Sequence, residues 1–144
     1  MSARTVIYNR LAGYEPLTAQ LAAKAPEVGT GPAIYETWAA PGSSMPYINL
    51  VYDFSAGDHE AKREGLLTVH IFTSGYDTLK IESIQQEVIN ALDWQILRGG
   101  AVGPVRLYLQ NEAEQEEDEE GVLHWIVTFS VVHWRRNFIQ HLTN

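Results

Sequence analysis

Two runs toward the C-terminal end of the chain alternate with a period of two. Val105, Leu107 and Leu109 alternate with Arg106, Tyr108 and Gln110; Leu123, Trp125, Val127, Phe129 and Val131 then alternate with His124, Ile126, Thr128 and Ser130. Successive strand side chains point to opposite faces, so the pattern demands strands with one dry face, as in an antiparallel sheet. The two runs read as a long hairpin over 104–134, with an acidic tip at 112–120. A dry sheet face has to be covered, and the earlier part of the chain offers helices to cover it.

The clearest helix spans 78–93, where Ile81, Ile84, Val88 and Leu92 form one apolar stripe opposite Glu82, Gln86 and Asn90. Asp77 is placed to cap its free amides, and Tyr76 and Ile81 stand at the positions of a hydrophobic staple. Near the N-terminus, Val6, Ile7, Leu11, Leu17 and Leu21 recur at helical spacing, interrupted by Gly13. Pro16 suits the first turn of a second helix. This predicts a broken N-terminal helix over about 3–24, within residues 1–25. Strands are expected between 33 and 73: a short one over Ala33–Trp38, another over Tyr47–Asp53, and a third carrying Leu67, Val69 and Ile71. Residues 55–63 read as polar and exposed, and Gly99–Gly103 as a flexible connector. The fold class is α+β, a mostly antiparallel β-sheet with helices packed on one face. At 144 residues it is expected to be a single domain.

The formal charge of −8 is local. Seven of the 18 acids are Glu112, Glu114, Glu116, Glu117, Asp118, Glu119 and Glu120, and the remaining eleven nearly balance ten Lys and Arg. A nearly neutral body argues against nucleic-acid binding by the whole domain, which calls for a basic face. With no cysteine, disulfide and thiolate chemistry are excluded. No apolar run suits a signal peptide or a membrane span, so a soluble protein made in a reducing compartment is expected, without membrane contact.

No constellation for catalysis emerges. The histidines are His59, His70, His124, His133 and His141, none at the spacing of a metal-binding helix. His70 and His124 fall at polar phases of strands and read as solvated or hydrogen-bonded. Ser43 and Ser44 sit in a turn without the strand-turn-helix context of a nucleophile. The glycines at 99–103 follow a helix instead of opening one, so they do not form a phosphate cradle. No catalytic residue, cofactor or metal is therefore expected. The acidic segment lacks calcium-loop spacing and reads as a solvated tip, as a dock for a basic partner, or as the lining of a passage that repels phosphate. Trp134, Arg135 and Arg136 offer an interface anchor in preference to a nucleic-acid grip.

Three stretches taken in order carry a family resemblance: the N-terminal helical pair ending near Leu21-Ala22-Ala23, the turn and strand PGSSMPYINLVYDF, and GLLTVHIFTSGYDTLKIESIQQEVINALD, a strand that breaks at Ser-Gly and enters a helix. In order and spacing over about 3–132 the chain resembles the tail-completion proteins of tailed bacteriophages and their relatives, the tail terminators. The acidic hairpin and the HWRRNF ending are not parts of that pattern. The resemblance implies a virion assembly protein of a phage or prophage, made in the host bacterial cytoplasm and resident in the virion tail. It further implies a homo-oligomeric, hexameric ring between the tail tube protein and the head-tail connector protein, with DNA passing through without sequence-specific binding. Two other classes stay open: an acidic DNA-mimicking or regulatory binder, and a small-molecule domain with a pocket beneath the helix.

Overall fold

A computed structural model describes residues 2–39, 42–54, 62–99 and 102–134. Its elements are α1 (Ala3–Ala12), α2 (Glu15–Thr18), β1 (Ile34–Tyr35), β2 (Tyr47–Phe54), β3 (Lys62–Ser74), α3 (Thr78–Leu92), β4 (Gln95–Gly99), β5 (Val102–Gln115) and β6 (Val122–Trp134). The strands form one sheet in the order β1-β2-β3-β6-β5-β4, parallel only where β1 meets β2. The expected α+β class holds.

The alternation does what its period requires. Leu67, Val69 and Ile71 of β3, Val127, Phe129 and Val131 of β6, and Val105 and Leu107 of β5 are buried on one face. The stripe of α3 (Ile81, Ile84, Val88 and Leu92) and Val6, Ile7 and Leu11 of α1 lie in the same apolar cluster. The α3 cap forms as expected: Asp77 accepts a hydrogen bond from the Leu79 amide. Ser2 caps α1 in the same way through the Thr5 amide.

Several expectations are corrected. The N-terminal helix ends at Thr18, not near 24, because other partners claim the following backbone. The Ala22 amide donates to the Pro46 carbonyl, and the Ala22 carbonyl accepts from the Ala33 amide. The first strand is two residues long instead of running to Trp38. The staple does not form, since Tyr76 is 76% exposed while Ile81 is fully buried. Lys62 and Arg63 belong to β3, whereas 55–61 lie outside the described residues. Of the expected connector at 99–103, Gly99 ends β4 and Val102 and Gly103 lie in β5, while 100 and 101 lie outside the described residues. Strand β4 itself was not expected. Its first pair is inverted, with apolar Ile96 52% exposed and polar Gln95 half-buried, while Leu97 packs on the core and Arg98 is exposed.

Between Leu109 and Asn111 the register of β5 against β6 slips by one residue. A bulge of this kind places two residues against one and reverses the alternation beyond it. Leu107 and Leu109 stand opposite Val131 and Phe129, and past the bulge Glu112 and Glu114 stand opposite Val127 and Trp125. The acidic tip is consequently shorter than expected. Glu112 and Glu114 are strand residues, and only Glu116–Glu120 lie beyond the end of β5.

Candidate functional site

Three adjacent strands bring one aromatic side chain each to the end of the sheet where the acidic tip turns. Register sets Tyr47 of β2 across from Phe72 of β3, and Phe72 across from His124 of β6. The Tyr47 and Phe72 rings are 5.0 Å apart and 27° from parallel; Phe72 and His124 are 4.1 Å apart at 20°. Tyr35 meets Tyr47 edge-on, and Trp38 packs on His70 at 4.8 Å. The strands thus carry a ladder of stacked rings on the face opposite the helices, where cross-strand neighbours are close enough to interact.

The acidic tip is tied to this ladder. His124 is 4% exposed. Its Nδ1 lies 2.5 Å from Oε1 of Glu117, and its Nε2 lies 2.8 Å from Nδ1 of His70. An ionised carboxylate only accepts, so Nδ1 of His124 carries the proton of the first contact. At the other end of the tip, the Gly75 amide donates to the Gly121 carbonyl at 2.6 Å, and Gly121 takes a φ of +79° that suits glycine. Glu114, Glu116, Glu117, His124 and Trp125 line a shallow cleft of about 490 Å³ between the tip and the sheet.

The electrostatics follow from this packing. Burial, and secondarily the facing His124, pushes His70 down to about 4. Burial raises Tyr47, with the carboxylates of Glu117 and Glu119 adding to the shift. The charge of the tip therefore reaches the start of β2. Asn49, across from His70, is buried and its Oδ1 has no hydrogen-bond partner among the described residues.

Of the expected interaction residues, the structure groups Glu116, Glu117, Asp118, Glu119 and Glu120 at the tip, and places Glu112 and Glu114 along β5. Trp134 stands at the opposite end of β6, paired with Lys62. The acids and Trp134 therefore do not form one site. Arg135 and Arg136 lie outside the described residues, as do His59 and His141. His133 packs on Phe54 at 4.8 Å, and burial, then Arg63, lowers its proton affinity.

Of the two alternatives for His124, solvated or hydrogen-bonded, the structure shows the second: it is buried and hydrogen-bonded at both ring nitrogens. Sequence reasoning missed Tyr47, Phe72 and Trp38 as neighbours of the tip. The available signal was an aromatic or histidine at the polar phase of three strands, β2, β3 and β6, which are adjacent only in the sheet. Among the described residues no group of three or more His, Cys, Asp or Glu side chains is arranged to hold a metal ion.

With helices on one face of a mostly antiparallel sheet and an aromatic ladder beside an acidic tip on the other, the chain is an α+β protein. No protein family matches the chain, and no curated protein matches it. Among solved structures, the fold is similar to a chain in the structure described as "Virion of native gene transfer agent (GTA) particle". The TM-score is 0.73 and the identity 17%, and the likeness covers 93% of this chain and 96% of that one. At that identity the likeness is one of fold.

Proposed function

We propose that this chain is a structural component of a phage-like particle that completes the tail and joins it to the head connector. In this reading it works through its surfaces instead of by catalysis, as a ring of identical subunits. The observation that carries the reading is the fold shared, over nearly the full length of both chains, with a chain of a gene transfer agent virion. The sheet borders support it. Strand β4 forms one edge of the sheet with Trp94 77% and Ile96 52% exposed beside it, and two-residue β1 forms the other. Free strand edges accept a further strand through main-chain hydrogen bonds, and head-to-tail contacts close into a ring when the rotation divides a full turn. In this role the tail tube and connector proteins are the partners, and DNA passes without sequence-specific contact.

Light scattering and electron microscopy of the purified protein, with and without tail tube protein, test this reading. Rings, alone or upon mixing, are the expected result; a monomer indifferent to tube protein overturns it. The exposed tip favours one second reading, a binder that presents acids to a basic groove. Replacing Glu114, Glu116, Asp118, Glu119 and Glu120 with serine abolishes association with a basic target if that reading holds, and leaves ring formation intact if it does not.

A further inference from the structure

We propose that the two ends of α3 form one contact between neighbouring copies of this chain. An acid-rimmed apolar patch at the start of the helix docks on an arginine-rimmed apolar patch just past its end. The inference rests on the structural role proposed above and names the surfaces through which its copies meet.

Tyr76 and Leu79, around the first turn of α3, are 76% and 73% exposed; Trp94 and Ile96, directly after the helix, are 77% and 52% exposed. A single exposed apolar side chain is ordinary. An aromatic and an aliphatic side chain exposed together, inside a rim of one charge, have the composition of a protein contact site. The fifteen residues of α3 set the two pairs about 22 Å apart, at opposite ends of one helix. Trp94 also takes a φ of +59°, an uncommon position for a bulky residue, while its amide donates to the Leu107 carbonyl. Such strain at an exposed aromatic points to a use for its position.

The rims carry opposite charge. At the first patch, the Gly75 amide donates to the Gly121 carbonyl, and a Cβ built on Gly121 would lie 4.0 Å from the Tyr76 hydroxyl. The acidic tip therefore stands beside Tyr76. Asp77 precedes Leu79 and Glu82 follows it by one turn, so carboxylates outnumber the neighbouring Lys80. At the second patch, Ile96 pairs across strands with Arg106, and Arg98 lies two residues on along the same exposed face of β4. Trp94 meets Tyr108 edge-on at 5.0 Å. Among the described residues neither arginine has a carboxylate partner within 4.0 Å. The patches complement each other, yet their separation keeps one chain from joining its own. A second copy can. Screening over about 8 Å at physiological salt lets each rim act chiefly on the surface touching it, while the net charge of −8 is damped beyond. Tryptophan, tyrosine and arginine are also the usual anchors of such contacts. A contact between unlike surfaces runs head to tail and closes into a ring when the rotation divides a full turn.

The test is a charge swap on the full chain, read by sedimentation velocity and electron microscopy, with tail tube protein added where the wild type needs it to assemble. Arg98→Glu with Arg106→Glu makes both patches acidic. Glu116→Lys, Asp118→Lys and Glu120→Lys together make both basic. Each protein alone is expected to stay monomeric, because like charges then face each other across the contact. An equimolar mixture of the two is expected to regain the wild-type assemblies with alternating copies. Serine at the tip is a weaker change than lysine: it removes attraction at one patch but also relieves the repulsion between copies of charge −8, and the apolar centres remain. Leu79→Ser and Ile96→Thr, which strike those centres, are each expected to weaken self-association about tenfold or more. Rings unchanged by either reversal overturn the contact and leave the structural role standing. Assemblies lost on reversal and not regained on mixing overturn it as well. A wild type that stays monomeric in every condition overturns both the contact and the role. Should a reversed protein fail to fold, Leu79→Ser and Ile96→Thr decide, and unchanged self-association in both overturns the contact.

Discussion

The side chain of Asp93 accepts a hydrogen bond from the Leu109 amide at 2.7 Å, at the point where β5 leaves β4 behind and enters its bulge. Asp93 also ends α3, and the next residue, Trp94, takes a φ of +59° and donates its amide to the Leu107 carbonyl. One short segment therefore turns the helix into an edge strand and satisfies the strand backbone just before the register slips. Asp93→Ala leaves the Leu109 amide without its acceptor. The expected loss is about 1–2 kcal/mol, toward the low end for bonds to charged groups because the site is half-exposed. Asp93→Asn keeps an acceptor and should lose less. Urea denaturation of both variants measures the difference.

Gly65 tolerates no side chain. A Cβ there would lie 2.5 Å from the Asp53 carbonyl oxygen and 2.8 Å from the Phe54 Cα, both backbone atoms of the paired strand. Gly65→Ala must push β2 away from β3, at an expected cost of about 1–3 kcal/mol, typical of overpacking. Chemical denaturation should show a lower midpoint with an unchanged slope. A variant as stable as the wild type would mean that the two strands are not so closely opposed.

Phe129 is a large, fully buried side chain at the centre of β6, facing α3 across the core. Truncation to alanine removes its apolar contacts and leaves a void, for which about 3–5 kcal/mol is expected. Such a loss is a large fraction of the stability of an ordinary domain. Thermal melting followed by circular dichroism should therefore show a fall in Tm of many degrees.

How much of this was legible in the sequence depended on how local the cause was. Helix α3 was readable to within a residue, because its stripe and its Asp77 cap are contained in sixteen consecutive positions. The burial of Leu67, Val69 and Ile71, and of Val127, Phe129 and Val131, followed from their period. Strand β4 was not readable, because edge position let Ile96 face outward and Gln95 inward, against the usual pattern. The bulge was hidden for a related reason: beyond Leu109 the alternation continues in charged residues, and no apolar marker shows that its phase has changed. The contact chain from Glu117 through His124 to His70 was the least accessible. His70 and His124 are 54 positions apart and meet only through the register of β3 with β6, while Glu117 comes back from a tip whose run of acids suggested full solvation.

Stability should depend on pH through His70 in one direction. Burial and the neighbouring His124 hold its folded-state proton affinity down to about 4, whereas the unfolded chain binds the proton near 6.5. The folded form thus binds fewer protons inside that interval, and its stability declines as pH falls from about 6.5 toward about 4. His133, lowered chiefly by burial, contributes with the same sign. The ring of His70 is half-exposed, so solvent screening keeps the decline below the value that full burial would give. Denaturation midpoints at pH 7.5, 6.5, 5.5 and 4.5 should fall progressively in the wild type. His70→Gln removes the titrating group, so its curve should be flatter over that interval while the His133 share persists. Groups other than His70 are common to both proteins, which leaves the difference between the two curves as the contribution of His70.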